Sequence, residues 1–247
     1  MARPLVLLTG LGRPVGIAAA IAERLATDGW DIAFVYSGQY DADINGGAGD
    51  IPAIEQRLRS LGAQTVAIEA DLGHADVASS VFERAETLGP VAALVLSHAH
   101  STNAGILTET VESFDRHFAV NTRGSWLLVR EYGRRFEHDS GRIVALTSDA
   151  IHHEIAYGAS KAALDRIIFA AAREFGARRI TANLVNPGPI DTGWMTDEVR
   201  AELLALTPFG RLGVPADAAS LVAFLLSADG GWITGQLIKS DGGFGAP

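Results

Sequence analysis

A chain of 247 residues with 48% hydrophobic side chains is long enough to bury the core of one large α/β domain. A net charge of −9 argues against a nucleic-acid partner, and the lack of cysteine excludes disulfides and thiolate chemistry without fixing a compartment. The opening run Met1-Ala-Arg-Pro-Leu-Val-Leu-Leu-Thr9 is apolar only briefly, which fits neither a signal peptide nor a membrane span and makes a soluble cytoplasmic protein without a membrane partner the expectation.

Short apolar runs alternate with helical patterns along the chain. Strands are predicted at Leu5–Thr9, Asp31–Tyr36, Gln64–Glu69, Val91–Leu96, Arg142–Thr147, Ile180–Val185 and Gln236–Lys239. Helices are predicted at Ile17–Asp28, Ile51–Leu61 (with Pro52 in its first turn), Ala75–Leu88, Val111–Phe136, Tyr157–Gly176, Val199–Ala205 and Ala216–Leu226. Ser37–Asp50, rich in glycine and aspartate, reads as a long loop of functional or mobile character. No linker, repeat or low-complexity segment interrupts the alternation. The expected architecture is therefore a single α/β domain over residues 1–247, with a doubly wound, mostly parallel sheet of about seven strands and helices on both faces.

After the first strand comes Thr9-Gly-Leu-Gly-Arg-Pro-Val-Gly-Ile17. Gly10, Gly12 and Gly16 would let the backbone approach a pyrophosphate, with the next helix, opening at Ile17, pointing its amides at it. The spacing is not the common G-x-G-x-x-G, and a tight connection with no ligand is the alternative. An acid about 20 residues further on, closing the second strand, would mark NAD. That region reads Phe34-Val-Tyr-Ser-Gly-Gln39, with no acid, and Asp31 opens the strand at its wrong end. Arg13 could meet a 2′-phosphate, so NADP(H) is expected over NAD(H). Asp71 is placed either to bond an adenine or to cap a helix.

Tyr157 and Lys161 lie four apart and project from one side of a helix. A lysine cation beside a phenol favours the phenolate and brings its proton exchange nearer neutral pH. Two partly exposed residues on an amphipathic helix are the plainer reading of such a spacing.

The glycine turn, Tyr157 with Lys161, Asn121, and Asn186-Pro-Gly-Pro-Ile-Asp-Thr192 together resemble the short-chain dehydrogenase/reductase family, in particular 3-oxoacyl carrier-protein reductases. Pro208-Phe-Gly-Arg-Leu-Gly213, Ile233-Thr-Gly-Gln236 and Asp241-Gly-Gly243 are similar to that family's carboxyl end. The resemblance implies a Rossmann-type domain, a nicotinamide cofactor and hydride transfer at a carbonyl or alcohol carbon. It implies Tyr157 as general acid, Lys161 as ligand of the nicotinamide ribose, Asn121 as holder of a relay water, and Ser148 as the group polarising the substrate carbonyl. It further implies cofactor contacts from Ser37, Asp71, Leu72, Ser97, His98, Ala99, Pro187 and Gly188, with Ile190 and Thr192 at the carboxamide. A homo-oligomer, of tetrameric form, is implied as well.

The departures are specific. The family's serine usually stands about thirteen residues before the tyrosine, whereas Ser148 precedes Tyr157 by nine, which makes Thr147 its rival. The motif after the fourth strand, usually Asn-Asn-Ala-Gly, reads Ser97-His-Ala-His100. The stretched turn is similar to enoyl reductases of fatty-acid synthesis, but those place the lysine later, where this chain has Leu164. Carbonyl reduction is therefore favoured, on a small-molecule ketone or 3-oxoacyl compound or its alcohol. A non-catalytic NADP(H)-binding sensor or scaffold is the alternative. His98, His100, His152 and His153 invite a metal reading, but no acidic or cysteine ligand stands at helical metal spacing beside them, and no metal is expected. His98 and His100 read instead as cleft residues. Trp194, Met195 and Phe209 are candidates for a substrate lid or a subunit contact.

Overall fold

A computed structural model describes residues 3–45, 49–150, 154–193 and 195–246. β1 (Leu5–Thr9) leads into α1 (Ile17–Thr27), and β2 (Asp31–Tyr36) continues through α2 (Gly38–Asn45) and α3 (Ile51–Ser60) to β3 (Thr65–Glu69). α4 (Val77–Ala85) returns to β4 (Val91–Leu96). α5 (Val111–His117), a π-helical turn (Phe118–Gly124) and α6 (Ser125–Arg135) precede β5 (Gly141–Leu146). α7 (Ile155–Glu174), β6 (Ile180–Asn186), α8 (Asp197–Leu206), α9 (Pro215–Leu226) and β7 (Leu237–Lys239) complete the order. The seven strands form one sheet, β3-β2-β1-β4-β5-β6-β7, with every pairing parallel.

A parallel sheet covered on both faces needs apolar side chains on both, which is why its strands read as unbroken apolar runs. Leu5 and Leu7, with Val35, Leu94, Leu96 and Ile143, pack on Phe82, Leu128, Tyr132, Leu164 and Ile168 of α4, α6 and α7. Val6 and Leu8, with Ile32, Phe34, Val95 and Val144, pack on Ile21, Leu25, Ile54, Val222 and Leu225 of α1, α3 and α9. Chain order reverses between β1 and β4, and the crevice at their carboxyl ends is where a doubly wound sheet takes ligands.

Two regions differ from the sequence expectation. Within the expected loop Ser37–Asp50, residues Gly38–Asn45 are helical. Asp41 N donates to Ser37 O, Gln39 donates to Asp43 at 2.8 Å, and Asp41 is buried against the glycine turn. Tertiary packing, not helix propensity, holds this segment. The single helix expected over Val111–Phe136 is interrupted by the π-helical turn, which aims the fully buried Asn121 at His100 in the loop after β4. Among the described residues no helix is long and apolar enough to cross a membrane.

Candidate active site

The carboxyl ends of the central strands open on a cleft of about 940 Å³, large for a ligand site. Gly10 takes φ +85°, and a Cβ there would stand 2.8 Å from the His98 backbone. Only glycine fits where β1 turns beneath β4. The Gly10 and Leu11 amides both donate to Val35 O, at 2.9 and 3.1 Å, which bends the chain toward β2. Gly16 opens α1 with no side-chain cap, and no acid lies in the first turn. The positive end of α1 therefore faces a groove of glycines, a fit for a diphosphate.

Nearly every residue singled out from the sequence lines this one cleft. From the turn and β2 come Gly10, Gly12, Arg13, Gly16, Ile17 and Ser37, and from the ends of β3 and β4 come Asp71, Leu72, Ser97, His98 and Ala99. Ser148, Tyr157 and Lys161 form the back, with Pro187, Gly188, Ile190 and Thr192 opposite. Asn121 is the exception. It lies behind the wall, accepting from His100 N at 2.7 Å and donating to His100 O and Ser160 Oγ at 2.9 Å each. Asp31 is at the far end of β2, where it accepts from Gln64 N at 2.7 Å. No acid closes β2 at the cleft.

Asp71 is not a helix cap, since α4 is preceded by Asp76. Burial alone would raise its carboxyl, but the Arg116 guanidinium at 3.0 and 3.1 Å and the Gly73 amide at 2.8 Å hold it below the usual carboxylate range. His98 is fully enclosed, which with the Lys161 charge drops its pKa to about 3 and leaves the ring neutral. Its Nδ1 is 2.6 Å from Thr9 Oγ1, and its Nε2 is 3.2 Å from Val120 O and 3.3 Å from Ser125 Oγ. Ser125 Oγ already donates to Asn121 O at 2.7 Å. The proton therefore sits on Nε2, and Thr9 donates to Nδ1. Among the described residues no three His, Cys, Asp or Glu side chains converge as a metal would need. His152 and His153 lie outside the described residues, as does Trp194. Met195 lines the cleft, whereas Phe209 is exposed and does not.

Lys161 is buried, with Nζ donating to Leu146 O at 2.9 Å and His98 O at 3.3 Å, and stands 5.9 Å from the centre of the Tyr157 ring. Burial lowers its pKa to about 8, against the pull of Asp165. The expected lowering of the phenol by this lysine is not found. Tyr157 is pushed up to about 12, by burial first and the Glu154 charge second, while a hydrogen bond from Ser148 opposes the rise. Desolvation of the phenol dominates, while the lysine cation is anchored on backbone carbonyls. Ser148 and Thr147 are also distinguished by geometry. Ser148 meets Tyr157, and Thr147 Oγ1 turns away to donate to Asp165 Oδ1 at 2.6 Å.

Among the lining residues that sequence reasoning missed, three bear on the chemistry. Tyr40 crosses the cleft, its ring edge-on to His100 at 5.7 Å between centroids and its hydroxyl at the Ser101 backbone. Asp41 presses its carboxylate on Gly12, where a Cβ would collide with it. Glu154 stands just before α7, three residues ahead of Tyr157, and that spacing was the one available signal.

Residues 10–245 match the family described as enoyl-(acyl carrier protein) reductase. The oxidoreductase YjdA of Bacillus subtilis is 37% identical over 97% of this chain and 96% of its own. Among solved structures, a blue fluorescent protein from a metagenomic library in complex with NADPH superposes with a TM-score of 0.88 at 34% identity, covering 98% of both chains. The angucycline C-6 ketoreductase LanV with bound NADP gives 0.86 at 32% identity, covering 98% of this chain and 95% of its own. Sheet order, glycine turn and cleft constellation agree with these likenesses: the chain belongs to the short-chain dehydrogenase/reductase family.

Proposed function

We propose that this protein reduces a ketone or 3-oxoacyl carbonyl to the alcohol with NADP(H), Tyr157 serving as the proton donor. The observation that carries the reading is the meeting of Ser148, Tyr157 and Lys161 in the cleft that the glycine turn and α1 open. Gly10, Gly12 and Gly16 would receive the diphosphate, and Arg13 and Ser37 the adenosine side, where the missing acid favours a 2′-phosphate. When bound, the dinucleotide supplies a hydride to the carbonyl carbon. Ser148 orients the Tyr157 hydroxyl, which donates its proton to the carbonyl oxygen as negative charge builds there. A phenol at about 12 stays protonated at neutral pH, so the site is poised for reduction. Lys161, held by two carbonyls, presents its remaining donor capacity to the cleft and the nicotinamide ribose. Asn121 would hold the loop after β4 in place behind it through His100.

Carbonyl reduction is preferred over enoyl reduction because Leu164, at the later lysine position, is core-buried beneath the sheet. Exposed Phe114, Trp126, Phe224, Trp232 and Leu237 are apolar surface that a homo-oligomer of tetrameric form would cover. The deciding experiment follows NADPH oxidation against a panel of ketones and 3-oxoacyl thioesters. Consumption with some of them is expected. Tight NADPH binding with no consumption would favour the sensor or scaffold reading instead.

A further inference from the structure

We propose that Glu154 sets substrate choice, selecting uncharged carbonyl compounds that carry a hydroxyl group beside the reacting carbon and excluding those that carry a carboxylate there. The inference rests on the reductase reading and names the substrate class of that site. Glu154 occupies the N-cap position of α7, yet its side chain makes no capping bond. Its backbone is fixed from both sides: a bridge pairs it with Ala104, Ile155 N donates to Ala104 O, and Gly158 N donates to Glu154 O at 2.8 Å. The carboxyl instead lines the cleft with Ser148 and Tyr157, close enough for its charge to act on the phenol.

No hydrogen bond or ion pair among the described residues satisfies this carboxyl. Two cations of the cleft are engaged elsewhere, Lys161 on two carbonyls and Arg116 on Asp71. Half-burial raises its pKa, and its charge acts on the neighbouring phenol. In the open cleft, water hydrates it. A substrate that closes over it displaces that water, and an ionised carboxylate only accepts hydrogen bonds. A hydroxyl on the substrate replaces the lost water, a bare alkyl group leaves the acceptor unpaired, and a second carboxylate adds repulsion. A site that hydrogen-bonds a substrate hydroxyl rejects the analogue lacking it, because its own polar group is then stranded.

The test compares 2-hydroxyacetophenone, acetophenone and benzoylformate by kcat/KM with NADPH in the wild type, Glu154→Ala and Glu154→Gln. The wild type should favour the hydroxyketone over acetophenone by roughly ten- to a hundredfold, as one charged hydrogen bond allows, and turn over benzoylformate worst. Glu154→Ala should lose the hydroxyl preference, with acetophenone gaining relative to the hydroxyketone because no stranded acceptor remains. Glu154→Gln keeps an acceptor oxygen without the charge, so it should keep part of the hydroxyl preference and admit benzoylformate. An unchanged ratio of the three substrates in either variant, with turnover intact, overturns the inference alone. Failure of the wild type to reduce any ketone, with NADPH still bound, overturns the reductase reading and this inference with it.

Discussion

Replacing Lys161 with methionine should stabilise the fold while abolishing turnover. Burial lowers the lysine from 10.5 to about 8, so below pH 8 the native state carries a cation that the unfolded chain solvates better. The sign follows from linkage. Between the two pKa values the unfolded chain binds the extra proton, so the burden on the wild type is full at neutral pH and fades as pH rises through 8 toward 10.5. A shift of this size corresponds to about 3 kcal/mol at neutral pH. Methionine forfeits the bonds to Leu146 O and His98 O, which returns about 1 kcal/mol for each carbonyl left unpaired. The variant should therefore be more stable than wild type by about 1 kcal/mol at pH 7. The pH dependence is the cleaner readout, because other titrating groups cancel in the difference. Urea unfolding at pH 7 and pH 9.5 should show the stability gap move by about 2 kcal/mol in favour of the wild type. A gap that stays constant over that range would falsify the assignment of a buried, charged lysine.

Tyr157→Phe should fold and bind NADPH but lose roughly 10²- to 10⁴-fold in turnover number, the usual worth of a general acid. With the phenol at about 12, the wild-type rate of reduction should show no loss from its deprotonation between about pH 6 and 9, and a limb in that range that Tyr157→Phe removes would contradict the burial argument. Arg13→Ala should weaken NADPH at least tenfold, about 1.4 kcal/mol, and leave NADH nearly untouched; equal losses in titrations with both would show that Arg13 meets no 2′-phosphate. Asp41→Asn removes a carboxylate pressed on Gly12 and should tighten NADPH severalfold in a fluorescence titration, whereas an unchanged affinity would mean that α2 leaves the turn before the cofactor arrives.

The parallel sheet was legible because its strands are buried on both faces, and Val6-Leu-Leu8 or Leu94-Val-Leu96 leaves little else for the chain to do. The cleft was legible where chemistry demands fixed spacing, as in the glycine turn and Tyr157 with Lys161. α2 was not legible, because Gly38-Gln-Tyr-Asp-Ala-Asp43 carries no apolar stripe and is held by what Tyr40 and Asp41 touch far away in sequence. The π-helical turn was hidden for the opposite reason. The helical pattern runs through it unbroken, and only the reach of Asn121 to His100 requires the extra residue. The phenol's pKa was misjudged because four-residue spacing reports proximity to a cation but says nothing of how much water either group has lost.

Depth also explains how the altered Ser97-His-Ala-His100 segment remains compatible with a working site. An amide at position 98 could offer one donor and one acceptor to its surroundings, and a neutral imidazole offers the same pair at a slightly longer reach. His98 uses them to tie three elements together. Nδ1 accepts from Thr9 at the end of β1, Nε2 donates to Val120 in the π-helical turn, and its own backbone lies two residues beyond β4. The carbonyl of that backbone is one of the two oxygens holding Lys161. Charging the ring would break the Thr9 bond and set a second cation near the lysine, and full burial prevents this by keeping the imidazole neutral well below physiological pH. The altered segment therefore keeps the lysine in position through a different side chain of the same hydrogen-bonding character.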